Sequence, residues 1–122
     1  MRIIIAGSRS FDNYKILKEK CSEIIGGKDV EIVCGMARGA DTLGEKYAKE
    51  CGYDIKYFPA KWSLFGKSAG YKRNEQMAKY ADMLIAFWDG KSRGTGHMID
   101  LARKYNLIIH VFYHYIIKGI II

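Results

Sequence analysis

Cysteine is scarce in this chain: Cys21, Cys34 and Cys51 are the only three in 122 residues. Their odd number, their apolar neighbours and the lack of any C-x-x-C spacing argue against a disulfide framework and against a cysteine zinc site. Buried thiols in a reducing cytosol are the expectation. The three histidines also lack metal-ligand spacing, so no catalytic metal is expected and the residues call for no other cofactor. Long apolar runs are missing too. None approaches the roughly 18 residues of a membrane span, and Met-Arg-Ile-Ile-Ile-Ala runs straight into Gly7, too short for the apolar stretch of a signal peptide. A soluble, cytoplasmic protein with no membrane partner is expected. Linkers, repeats and low-complexity tracts are absent. Acidic residues are the minority, 13 against 20 Lys plus Arg for a net charge of +7. Anionic partners are favoured, with nucleotide and nucleic acid both open.

What is present fits one domain. A chain of this length with 49% hydrophobic residues can bury a single core and little else. Short apolar runs rich in β-branched and aromatic residues, Ile3 to Ala6, Val30 to Cys34, Tyr53 to Phe58, Met83 to Trp88 and Leu107 to Tyr113, read as strands. The first and fourth are nearly continuous, as strands buried on both faces are. Between them apolar residues recur at helical spacing: Tyr14, Leu17, Cys21 and Ile24; Leu43, Tyr47 and Cys51; Met77, Ala78 and Ala81; Met98, Ile99 and Ala102. Asn13 and Thr95 are expected N-caps, and Gly26 and Gly52 expected helix stops. The alternation predicts an α/β fold, a doubly wound parallel sheet of about five strands with helices on both faces, in the order 3-2-1-4-5.

In that order strands one and four are neighbours, and a crevice opens at their C-terminal ends. The loops leaving them carry the chemistry. Asp89-Gly90-Lys91-Ser92-Arg93-Gly94-Thr95-Gly96 follows a strand and opens a helix. Its glycines admit an anion close to the backbone, Ser92 and Thr95 supply hydroxyls, Lys91 and Arg93 supply charge, and the amides of the helix start point at one spot. Gly7-Ser8-Arg9 is a second such junction. Gly35-Met36-Ala37-Arg38-Gly39-Ala40-Asp41 is a third. Eight basic residues, Arg9, Arg38, Lys61, Lys67, Lys72, Arg73, Lys91 and Arg93, fall in or beside connections at this edge. Two such loops in a short alternating chain point to a nucleotide-sized ligand.

Several spaced motifs, Gly7-Ser8-Arg9, Gly35-x-Ala37-x-Gly39-Ala40-Asp41, Trp62-x-x-x-Gly66, Ala69-Gly70-x-x-Arg73-Asn74 and Ala81-Asp82 through Ser92-x-Gly94-Thr95, together resemble the YspA-type, cpYpsA-related branch of the SLOG superfamily. The resemblance covers about residues 1–113. It implies a Rossmann-like fold and a nucleotide or nucleotide-derived ligand. The activity differs between branches, which include the Lonely Guy phosphoribohydrolases, molybdenum-cofactor carrier-like proteins and the Rossmann domain of DNA-processing protein A. The phosphoribohydrolases carry a Pro-Gly-Gly-x-Gly-Thr-x-x-Glu motif whose Glu takes part in cleaving an N-glycosidic bond. Aligning Gly94-Thr95 puts Met98 at that position, and a thioether is no general base. Asp41 and Asp89 are the remaining carboxylates near the crevice, so they are the candidate catalytic residues, and whether the protein is an enzyme stays open.

The expected ligand-binding set is therefore Gly7, Ser8, Arg9, Gly35, Arg38, Gly39, Asp41, Trp62, Arg73, Asn74, Asp89, Gly90, Ser92, Gly94, Thr95, Gly96 and His97. Within it, Asp41 serves either a ribose hydroxyl or the helix-two amides, Trp62 either stacks on a base or packs as a core or lid aromatic, and Arg73 meets phosphate. His110 and His114 read as structural. Three functions follow: a nucleotide-binding sensor, carrier or enzyme of unread chemistry; an N-glycosidase acting on a nucleotide; and, less favoured, a single-strand nucleic-acid binder suggested by the charge, Trp62 and Trp88. Residues 1–113 form the expected Rossmann-like domain. Residues 114–122 read as an apolar extension that adds a strand or meets a partner subunit in a homo-oligomer.

Overall fold

The computed structural model describes residues 1–114 throughout and, beyond them, the backbone of residues 116–117 and 120–121. Strands β1 (Arg2–Gly7), β2 (Glu31–Cys34), β3 (Asp54–Tyr57), β4 (Met83–Trp88) and β5 (Ile108–Tyr113) make one sheet. Its order is β3-β2-β1-β4-β5, and every pairing is parallel. Helices α1 (Tyr14–Ile25), α2 (Ala40–Cys51), α4 (Ala69–Tyr80) and α5 (Arg93–Lys104) fill the crossovers, with a short α3 (Trp62–Phe65) and a 3-10 turn before α4.

The period of two along β1 decides which helices cover which face. Ile3 and Ile5 join Leu17, Cys21, Tyr47 and Ala48 of α1 and α2 in one core. Ile4 and Ala6 join Met77, Ala78, Met98 and Ala102 of α4 and α5 in the other. The uninterrupted apolar runs of β1 and β4 thus feed two cores, so their residues are almost all buried, whereas the edge strands β3 and β5 are half covered.

Helix ends follow local chemistry. Asn13 caps α1, its side-chain oxygen accepting from the Ile16 amide at 3.2 Å. Gly26 and Gly52 end α1 and α2. Thr95 is no N-cap: α5 starts two residues earlier, after Ser92, and Thr95 is buried in its first turn. The segment after β3, expected only as a connection carrying Trp62, folds into α3 and the 3-10 turn.

Beyond β5, residues Ile116–Ile117 (β6) and Ile120–Ile121 (β7) pair antiparallel in a separate two-stranded sheet. The side chains through which this stretch was expected to meet a partner subunit lie outside the described residues. Among the described residues, no helix is long and apolar enough to cross a membrane.

Candidate functional site

Parallel strands all deliver their following loops to one edge, and between β1 and β4 those loops diverge to helices on opposite faces. Ser8 holds the two loops in register. Its amide donates to the Phe87 carbonyl at 2.9 Å, its hydroxyl accepts from the Asp89 amide at 3.0 Å, and the Ser92 hydroxyl meets it at 3.2 Å.

Asp89 organises the β4–α5 loop. One carboxylate oxygen accepts from the amides of Lys91 at 2.8 Å and Ser92 at 2.7 Å, and the other from the Ser92 hydroxyl at 2.9 Å. Burial alone would raise its pKa, but the Ser92 and Lys91 amides and the Ser92 and Ser8 hydroxyls outweigh it and bring the value down to about 2. Asp89 is therefore a turn-former with its oxygens occupied, and a poor general acid or base near neutrality.

The same turn leaves α5 uncapped. With its hydroxyl committed to Asp89 and Ser8, Ser92 makes no side-chain cap to the helix. Gly96 donates to the Ser92 carbonyl at 3.1 Å, while the amides of Arg93, Gly94 and Thr95 donate to no acceptor among the described residues. These amides sit at the positive end of the helix dipole.

They line a cavity of about 440 Å³, whose other walls come from Gly7, Ser8, Arg9, Asp41, Arg73, Asn74, Met77 and Met98. Asp41 stands in the first turn of α2, is 7% exposed and accepts from the Ala37 amide at 3.1 Å. Burial pushes its pKa up to about 6, against the opposing pull of that amide, Arg73 and Arg9. Arg73, in α4, donates to the Gly35 carbonyl and, through Nε at 3.1 Å, to Asn74. Burial lowers its pKa while Asp41 supports its charge. Gly35 is needed beside this pair, because a Cβ there would stand 2.8 Å from Asp41 Oδ2 and 3.2 Å from Arg73 Nη1. Asn74 continues the chain of contacts to α5, donating to the Gly94 carbonyl at 3.2 Å and lying 3.3 Å from His97 Nδ1.

A second cavity of about 340 Å³ adjoins the first and shares Arg9, Ala37 and Arg73 with it. Its remaining walls are Gly35, Met36, Arg38, Pro59, Ala60 and Trp62.

The structure thus divides the expected site residues. Gly7, Ser8, Arg9, Asp41, Arg73, Asn74, Ser92, Gly94 and Thr95 line the first cavity; Arg9, Gly35, Arg38, Trp62 and Arg73 line the second. Gly39, Asp89, Gly90, Gly96 and His97 line neither. Gly39 holds α2 against the β1 loop at φ 75°, where a Cβ would come within 2.7 Å of Arg9 Cα. Gly96 packs on Trp88, and His97 on the Tyr71 ring. Of the eight basic residues expected at this edge, the arginines Arg9, Arg38, Arg73 and Arg93 line the cavities and the lysines Lys61, Lys67, Lys72 and Lys91 do not. Missed by the expected set were Ala6, Ser10, Ala37, Met77 and Arg93, along with Met98, and Met36, Pro59 and Ala60 around Trp62. Arg93 was readable from its loop; the apolar lining carries no local signal.

Comparison with known proteins adds to this geometry. The family model for YspA, cpYpsA-related SLOG proteins matches residues 1–65. The Gene 61 protein of Mycobacterium phage D29 is 31% identical over 111 residues, 84% of this chain and 89% of the phage protein. In fold, the chain is similar to DNA processing protein A (DprA) from Streptococcus pneumoniae, with a TM-score of 0.77 and 17% identity over 97% of this chain. It spans 52%, about half, of that DprA chain.

Proposed function

The chain belongs to the YspA, cpYpsA-related SLOG family, and from that membership and the cavity we propose that it binds a nucleotide or nucleotide-derived ligand at the C-terminal edge of the sheet, as a sensor or carrier. One observation carries the reading. The free amides of Arg93, Gly94 and Thr95 and the half-buried Arg73 line the same cavity, and a phosphate is the group that satisfies both. Asp41, beside Arg73 in the same cavity, then takes a ribose hydroxyl. Of the three cysteines expected as buried thiols, Cys21 and Cys34 are buried and suit a reducing cytoplasm, whereas Cys51, at the end of α2, is exposed.

Asp41 favours a second reading, that of an N-glycosidase. A cavity carboxylate with a pKa near 6 is matched to proton transfer near neutral pH. Against it stands Met98, buried in the cavity wall at the position where the resemblance places the phosphoribohydrolase glutamate. Binding without bond cleavage is accordingly the expected outcome. Single-strand binding loses one of its aromatics, since Trp88 is engaged with the Ser92 carbonyl at 3.0 Å and with Gly96 and Tyr113.

Calorimetric titration with AMP, IMP and GMP, with base release followed by chromatography, separates the readings. At least one mononucleotide should bind, and Arg73→Ala should weaken it by about 1.5–3 kcal/mol through loss of a charge-assisted bond. No free base should appear above background. Base release abolished in Asp41→Asn with affinity retained would make the protein an N-glycosidase. Equal binding by Arg73→Ala and the parent would remove phosphate from this cavity.

A further inference from the structure

We propose that the second cavity seats a second nucleoside unit, so that the preferred ligand is a dinucleotide whose linking phosphate group lies between Arg9 and Arg73. This rests on the nucleotide reading of the first cavity and extends it to a ligand class.

The partition between the cavities supplies the first argument. Apart from Ala37, the residues common to both are two arginines, Arg9 and Arg73. A mononucleotide bound in the first cavity brings one phosphate, which the α5 amides and Arg73 receive. Arg9, the other arginine that lines both cavities, is left for a further anion beside Arg73, and a phosphodiester or pyrophosphate bridging two nucleosides is the anion that has to pass there.

The chemistry of the second lobe supplies the next. Arg9, Arg38 and Arg73 line it and no carboxylate does, so even with Asp41 beside Arg73 in the adjoining cavity three cations face one carboxylate. The rest is apolar, with Trp62 and Met36 standing 54% and 57% exposed. An indole beside guanidinium groups is a surface on which a base stacks, with the planar guanidinium taking a second aromatic or a phosphate. Large apolar side chains left in water at the rim of a charged lobe await a planar ligand.

Met36 adds an independent sign. It holds a positive φ of 63°, a conformation shared among the described non-glycine residues only with Asn106. Asparagine adopts it readily, whereas for methionine it is an outlier. Strain of this kind persists where the surrounding structure imposes it, and it concentrates at ligand clamps.

The probes are AMP, NAD for a pyrophosphate linkage and 5′-phosphorylated diadenylate for a 3′–5′ linkage, titrated calorimetrically into the full chain. At least one dinucleotide should bind about tenfold or more tightly than AMP, and which one identifies the linkage. Trp62→Ala and Arg38→Ala, both at exposed side chains and so harmless to folding, should each erase that advantage while leaving AMP affinity unchanged. AMP binding equal to that of both dinucleotides, or dinucleotide affinity untouched in both variants, would overturn the inference and leave the mononucleotide site standing. Absence of binding by all three probes would instead strike the nucleotide reading itself. Preference for a twelve-nucleotide single strand over both dinucleotides, with steep salt dependence, would replace the closed ligand by a polymer and overturn the proposal.

Discussion

Asp41 shows how a single residue carries both a stability term and a functional one. Its pKa moves from 3.8 to about 6 on folding, equivalent to about 3 kcal/mol. The sign follows from proton uptake: between those values the folded state binds more protons than the unfolded one, so stability falls as pH rises through the window. Below pH 4 both states are protonated and the term vanishes; above pH 6 it is fully present as a cost. Asp41→Asn keeps an oxygen for the Ala37 amide and removes the titration. Urea unfolding at pH 4, 5, 6 and 7.5 should therefore show the parent losing stability relative to the variant by up to about 3 kcal/mol across this range. A difference between the two proteins that stays constant with pH would mean that Asp41 is not desolvated in the fold. The sequence left Asp41 between a ribose contact and helix-start duty. Both roles draw on the same position, and only its burial beside Arg73 shows a carboxylate held away from water at a cavity wall.

The β4–α5 junction is where element-scale chemistry was most legible and also most misleading. An apolar run, a glycine-containing loop and a helix start were plain in the residues, and the strands of the sheet lie where the apolar runs predict, within a residue at each end. The division of labour inside the loop was hidden, because it depends on which side chains meet after folding. Ser8, 81 residues from Asp89, takes the Asp89 amide, and Asp89 in turn takes the amides of Lys91 and Ser92. A residue that looked like a catalytic candidate thus shapes the cradle, and a hydroxyl that looked like a ligand group joins the loops. Asp89→Ala should cost about 1–2 kcal/mol, as loss of a helix-start cap does. It should also weaken AMP, because Ser92 is then released to cap α5 and compete for its amides. Unchanged AMP affinity in a correspondingly destabilised variant would show that loop order and phosphate binding are separate. Helix α3 escaped the sequence for a different reason: four residues are too few for an apolar period to register.

At the scale of the whole molecule, strand order and alternation were readable because burial on both faces of β1 and β4 leaves no freedom in their composition. The division of the crevice into two lobes was not, since it arises where three loops from β1, β2 and β3 converge on Arg73 of α4. The net charge of +7 favours an anionic partner without identifying it; the cavities are lined by arginines, whose planar forks suit phosphate. The central claim is that phosphate is received at the C-terminal edge of the sheet, by the first turn of α5 and by Arg73. A crystal structure of the protein soaked with AMP tests it most directly. The account predicts phosphate density within hydrogen-bond distance of the amides of Arg93, Gly94 and Thr95, with Arg73 alongside. Phosphate density at the opposite edge, in the cavity of about 260 Å³ lined by Arg2, Asp29, Glu31 and Tyr80, would contradict it.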